Sequence, residues 1–360
     1  MRPGQEHAGE IPARLTGERI LVKRANVIAP TPRFRQRAVA IFHGLAAASL
    51  LLALANPRAV VAGEGGGSHY MPGTMGDFAM ALIGPPGFYL RNDLLYFQGD
   101  IDAVTLGDRI YSSASQDVWV NTLKLIYLAG SGILGGRLGG ALTIPIVLDA
   151  QASGTLVSPL QGSPSGNRSG IADITVSGLL NWAFGHSHVS AGLNVYVPVG
   201  AYDEDRIINL GRNYWSFDPV GTFTWLHPER GHEVSFTTGF MFNTQNGATD
   251  YSSGTEWHFD FMLSQHFSKR FAVGLEGSVL QGISDDSGPL LDRANTVLPA
   301  IGLKPLEGFR AQYFALGPAV LVTPPVFGKD VNLIAKYLVD IDHKNRFNSD
   351  YLMISLALKF

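Results

Sequence analysis

The sequence predicts an all-β fold, a transmembrane antiparallel up-and-down β-barrel of about twelve strands, with ten or fourteen as the alternatives. Three observations carry that prediction. Apolar and polar residues alternate with period two through most of residues 87–360, as they do where a strand buries one face. The links between alternating stretches are by turns short and long, an asymmetry that barrels of the outer-membrane type keep between their two ends. The last stretch, from Tyr351, sets Leu352, Ile354, Leu356, Leu358 and Phe360 on one uninterrupted apolar face.

The chain opens on an address. Arg33, Arg35 and Arg37 precede the apolar run of residues 38–55, the basic and hydrophobic regions of a secretory signal peptide, with Val60-Val61-Ala62 as the favoured cleavage site. Residues 1–62 are therefore read as leader. Residues 63–360 keep 18 Lys/Arg and 27 Asp/Glu, a formal charge of −9, with no basic, aromatic-rich patch, so nucleic acid is not an expected partner. Cysteine is absent, which excludes disulfides, thiolate metal sites and a cysteine nucleophile. Residues 63–86, glycine-rich and ending in Pro85-Pro86, form a periplasmic or lumen segment before the barrel of residues 87–360.

The strands follow in order. Residues 88–98 and 118–129 alternate weakly, and 138–148 does so better. At 172–184, Ile174, Val176, Leu180, Trp182 and Phe184 oppose Asp173, Thr175, Ser177 and Asn181; the return through 188–197 completes a hairpin. Residues 214–226, 233–243, 256–267 and 271–281 repeat the pattern with a strong aromatic face, and 309–323, 331–341 and 351–360 close the count. The short links are 130–137, 185–187, 227–232, 268–270 and 324–330; the long ones are 99–117, 149–171, 200–213, 244–255, 282–308 and 342–350.

Alternation alone fits a sandwich as well as a barrel, and the second face separates them. Glu233, Glu256, His258, Asp260 and Glu276 share parity with serines, threonines and glycines, which suits a hydrated lumen, while the aromatic residues suit lipid and its interfaces. Leu179, Tyr196, Met241 and Met262 interrupt the polar face and are candidates for an apolar solute path. The row Glu256, His258, Asp260 has spacing that would serve a metal or general acid–base chemistry; a hydrogen-bonded lumen row accounts for it more simply. Ser264 and His266 invite a lipid-hydrolase reading, but they fall on the lumen face. The acidic clusters Asp203–Asp205 and Asp285–Asp286 read as solvated loop charge or as oxygen ligands for calcium.

Four stretches, GEGGGSHYMPG (63–73), ALIGPPGFYLRNDLLYF (81–97), the segment 194–221 with Pro198, Gly200, Tyr202, Asn209, Gly211, Asn213, Tyr214 and Trp215, and NGATDYSSGTEWHFDF (246–261), resemble the bacterial outer-membrane family of phenol meta-pathway degradation, transporter-like proteins. The last strand also resembles the closing strand of outer-membrane barrels, whose terminal aromatic, here Phe360, is read by the barrel-assembly machinery. The resemblance implies a Gram-negative outer-membrane location, outer-membrane lipid as surroundings, and a channel for uptake of small hydrophobic or aromatic compounds. A non-selective or structural barrel is the alternative, and a lipid hydrolase a second one. It implies no catalytic residue, no metal and no cofactor.

Overall fold

The computed structural model describes residues 64–157 and 162–359; the leader and Phe360 lie outside them. Twelve wall strands run from Gly87 to Lys359: β1 (Gly87–Ile101), β2 (Arg109–Leu128), β3 (Arg137–Leu156), β4 in two pieces (Ser165–Ile171 and Ile174–Phe184), β5 (Ser187–Val197), β6 (Ser216–Leu226), β7 (His232–Asn243), β8 (Glu256–Ser268), β9 (Phe271–Gly282), β10 (Gln312–Val322), β11 (Lys329–Lys344) and β12 (Asn348–Lys359). Each pairs antiparallel with its neighbours in sequence, and β1 pairs with β12 from Tyr89↔Lys359 to Asp100↔Asn348. The sheet is thus a closed ring. Closure matters because hydrocarbon offers backbone N–H and C=O groups no partner, and only a ring leaves no edge unpaired. Two fragments, Val104–Leu106 against β2 and Pro325–Val326 against β11, and one helix, α1 (Pro289–Ala300), complete the elements.

Side-chain parity follows the register. Leu263 stands opposite Val234 and Leu275, all exposed on the outer face, while Ser264 stands opposite Glu233 and Gly274 on the inner one. The outer face is apolar round the ring, with Leu125, Val176, Leu193, Phe240, Val320 and Ile354 among its exposed residues. Aromatic pairs occur toward both ends of the strands: Phe88 with Tyr127 (centroids 4.8 Å apart) and Phe267 with Phe271 (5.7 Å) at the short-turn end, and Tyr96 with Trp119 (4.5 Å) toward the other.

The strands extend further toward the long-loop end than the alternation indicates. β2 and β3 are each 20 residues, and β4 begins at Ser165 where a loop was expected. In the outer portion of β3, Asp149, Gln151 and Ser153 share one face and Ala150, Ala152 and Gly154 the other; in that of β2, Ser113, Ser115 and Asp117 share one face and Ser112, Ala114 and Gln116 the other. Here the outward residues are polar and most of the inward ones are small, such as Ala114, Ala150 and Ala152, so the periodic signal weakens while backbone pairing continues. The expected long link 342–350 contracts to residues 345–347 for the same reason. The link between β9 and β10 holds α1, which was not expected. Leu291, Ala294 and Leu298 form its buried stripe at spacings of three and four, with Pro289 in its first turn.

Residues 64–86 take no part in the wall. They begin in a short 3₁₀ turn, Glu64–Gly66, at the long-loop end, where Glu64 accepts a hydrogen bond from Asn246. They end at Pro86, beside the start of β1 at the opposite end. The segment therefore crosses the lumen from one mouth to the other.

Leu263→Arg places a cation on the outer face in the middle of a strand, and is expected to cost about 2–4 kcal/mol of unfolding free energy in lipid bilayers. Denaturant titration in vesicles checks this, and a neutral outcome contradicts the assignment of that face to lipid.

Candidate functional site

The site is the contact between residues 64–86 and the inner face of the ring. Near the long-loop mouth, Ser68 donates its hydroxyl to Glu256 Oε2 at 2.5 Å. His69 bridges Ser216 Oγ (2.7 Å) and Asp173 Oδ2 (2.9 Å), and its ring stacks on Tyr196 with centroids 4.9 Å apart. Asp173 sits in the break of β4, where it also accepts the backbone N–H groups of Gly200 and Arg212 from the β5–β6 link.

At mid-depth the Tyr70 hydroxyl donates to Asp260 Oδ1 at 2.6 Å and lies 2.8 Å from Ser278 Oγ. Its ring stacks on His258 at 4.4 Å, and His258 Nε2 is 2.9 Å from Asp218 Oδ1. Beside them, Lys336 of β11 donates to the carbonyls of Gly73 and Gly76, both at 2.6 Å, and pairs with Glu276 of β9 at 3.0 Å. Gly73 adopts a backbone conformation that favours glycine, and any side chain at Gly76 would require Glu276 to shift. A Cβ on Gly76 would stand 2.0 Å from Glu276 Oε1, and Gly73 has φ +75 with Leu338 Cδ1 2.4 Å from where its Cβ would be.

Toward the short-turn end, Asp77 pairs with Arg91, which also donates to Asp93 (2.7 Å) and Ser355 (3.0 Å). Glu233 accepts the Ala79 N–H at 2.5 Å. Ala81 donates to Thr224 Oγ1 (2.9 Å) and accepts from Asn181 (2.6 Å), and Arg137 donates to the carbonyl of Gly84. Phe78 is the main apolar anchor of this region, clustered with Met262, Ala272, Ala319 and Ile334.

The five acidic and histidine residues singled out from the sequence, Glu233, Glu256, His258, Asp260 and Glu276, are each buried on the inner face at these contacts. Tyr196 and Met241 meet the segment at His69 and Ser68, and Met262 meets it at Phe78. Leu179 is half-buried between Gly139 and Gly192. Ser264 and His266 do not pair with each other; each lies 2.6 Å from Glu233 Oε2. The residues that sequence reasoning missed are those of the segment, His69, Tyr70 and Asp77, and their partners Arg91, Asp173, Asp218 and Lys336. Lys336 had a signal, the single cation of inward parity in residues 331–341, between Ile334 and Leu338.

A family model described as "Putative MetA-pathway of phenol degradation" matches residues 101–356. The chain belongs to this family. This member of the MetA-pathway family shares its fold with a solved outer membrane channel from Pseudomonas putida F1, at 15% identity and a TM-score of 0.60, over 79% of this chain and 99% of that one. The transport unit of the autotransporter AIDA-I from Escherichia coli (10% identity, TM-score 0.41, 76% of this chain and 90% of that one) and a FadL homologue from Pseudomonas aeruginosa (8%, 0.39, 84% and 98%) are more distant likenesses. No curated protein matches the sequence.

In this MetA-pathway family member, the acidic loop clusters are occupied by the protein itself. Asp203 accepts the Asp205 N–H at 3.1 Å and pairs with Arg206 at 3.0 Å. Asp286 accepts the Tyr251 hydroxyl and the Gly254 N–H, both at 2.6 Å. Among the described residues no group of three or more His, Asp or Glu is placed to hold a metal ion.

Lys336→Met leaves Glu276 buried without its cation and is expected to cost about 3–5 kcal/mol, measured by denaturant unfolding, with part regained in the double variant Lys336→Met/Glu276→Leu. A full-cost double variant contradicts the pairing. The outer link gives a pH dependence of its own. Burial pushes the Asp286 carboxyl up to about 8 from its ordinary 3.8. A raised folded-state value means that the folded loop binds the proton more tightly than the unfolded chain does, so its packing is firmest below about pH 4 and weakens as pH rises through 8. Amide exchange at Gly254 is expected to show more frequent opening at pH 9 than at pH 5 after correction for intrinsic rates, with the difference abolished by Asp286→Asn.

Proposed function

We propose that this protein is an outer-membrane channel for uptake of small hydrophobic or aromatic compounds, with residues 64–86 as a plug that solute must pass or displace. The observation that carries the reading is that the lumen is filled by a separate chain segment, held through hydrogen bonds and ion pairs to the wall, rather than by the wall's own side chains. A twelve-stranded ring is wider than the roughly eight-stranded barrels whose interiors side chains fill. A segment attached by polar contacts to a hydrated inner face can exchange those contacts for water as it moves. Membership of a family named for phenol degradation supports aromatic solutes.

The same reading assigns residues 1–62 as leader, residues 87–360 as the barrel in outer-membrane lipid, and Phe360 as part of the signal to the assembly machinery. Tyr196, Met241 and Met262 lie where the segment meets the wall and would line a path opened between them. The alternative is a structural barrel with a permanent filler, which the same filled lumen favours over an open, non-selective pore.

Cells with and without the gene are to be compared for uptake of a labelled neutral aromatic and of a sugar of similar size. Enhancement of the aromatic by at least several-fold, with the sugar unchanged, is the expected result. Equal enhancement of both identifies a general pore, and enhancement of neither identifies a structural barrel.

A further inference from the structure

Below the long-loop mouth, a cavity of about 180 Å³ lies between the start of the luminal segment and the wall formed by β1, β2, β3 and β12. Phe97, Tyr111 and Tyr351 supply aromatic walls, and Ile207 and Ile208 of the β5–β6 link supply aliphatic ones. Cavities of about 150 Å³ with apolar walls accept a benzene ring, whereas drug-sized ligands need about 300 Å³ or more. The space therefore suits a single ring.

Two guanidiniums line the same cavity. Arg346, in the β11–β12 turn, is 4% exposed; its Nη2 is 3.3 Å from the Tyr70 carbonyl, and its Nη1 has no hydrogen-bond partner among the described residues. Arg212 uses its backbone N–H on Asp173, and its half-buried side chain, which lies against Gly67, makes no hydrogen bond or ion pair among the described residues. One carboxylate, Glu64, also lines the space, but its oxygens are engaged by Asn246 Nδ2 (2.7 Å) and the Tyr202 hydroxyl (3.5 Å). The Arg346 guanidinium stands over the Tyr313 ring at 5.7 Å, so what remains open on it is Nη1; a buried N–H without an acceptor is costly, and a ligand carboxylate is the group that a planar donor fork fits best.

We infer that this cavity is a binding site for a small aromatic carboxylate, with the ring between Phe97, Tyr111, Tyr351 and the two isoleucines and the carboxylate on Arg212 and Arg346. A role for the site in transport rests on the channel reading above; its occupancy does not.

The test is calorimetric titration of the full protein in detergent with benzoate, benzyl alcohol, benzamidine and acetate. Benzoate is expected to bind at least tenfold more tightly than the other three. Arg212→Met is expected to weaken benzoate at least tenfold, and Ile207→Trp, which fills the cavity, to abolish its binding. Circular dichroism identifies any variant that fails to fold, and Arg346→Lys, which keeps the charge and loses the fork, serves as a second probe with an intermediate loss. Benzamidine binding as tightly as benzoate, equal binding of benzoate and benzyl alcohol, unchanged benzoate binding in Arg212→Met, or no binding by the folded protein each overturns the site. Bound benzoate without any aromatic uptake by cells supports the site and removes the channel reading. Uptake of a neutral aromatic without benzoate binding removes the site and leaves the channel.

Discussion

The structure depends on the pairing of β1 with β12. Twelve register positions, from Tyr89↔Lys359 to Asp100↔Asn348, join the two ends of the sheet. Without them two strands would present unpaired backbone groups to hydrocarbon, at several kcal/mol for each group. Closure at twelve strands fixes the circumference, and the circumference fixes the width of the interior. That width is what the inward side chains fail to fill alone. The luminal segment is thus a consequence of ring size, and its polar attachments are a consequence of the alternation that gives lipid the apolar face.

The filling is polar by the same logic. Strand parity leaves Glu233, Asp218, Asp260, Glu276, Lys336 and Arg91 facing inward, and buried charges persist only with partners. The segment provides several of those partners from its backbone, at Gly73, Gly76 and Ala79, so its own side chains matter less there than its path. Satisfaction is incomplete. Glu256 Oε1, His258 Nδ1, Asp260 Oδ2 and Glu276 Oε2 have no protein partner among the described residues. Each such atom costs about 1–3 kcal/mol where water is excluded, so the plugged arrangement is held less firmly than a fully paired core of the same size.

Much of the wall was legible because the membrane imposes its period on the sequence. β5, β7, β8 and β9 carry one apolar and one polar face, and the parity assigned to Glu256, His258 and Asp260 matches their burial. Legibility ended where the hydrocarbon does: the outer portions of β2 and β3 are paired strands without a large apolar face, and nothing in Ser112–Asp117 distinguishes that stretch from a loop. The helix α1 had a readable stripe at Leu291, Ala294 and Leu298, hidden in a stretch already assigned to a link. The candidate site was legible by half. Inward residues follow from alternation, but the course of residues 64–86 depends on contacts more than a hundred residues away, such as Tyr70 with Asp260, for which local pattern holds no record.

The claim on which the rest turns is that residues 64–86 occupy the lumen and must yield to solute. The natural chain has no cysteine, so a disulfide can be placed without competition. Ala81 N lies 2.9 Å from Thr224 Oγ1, which brings cysteines at these two positions within bridging reach where the segment leaves the lumen. Proteoliposomes carrying Ala81→Cys/Thr224→Cys are to be assayed for influx of a labelled neutral aromatic before and after reduction. A plug that must yield gives slow influx when the bridge is formed and fast influx when it is reduced; equal influx in the two states contradicts a yielding plug.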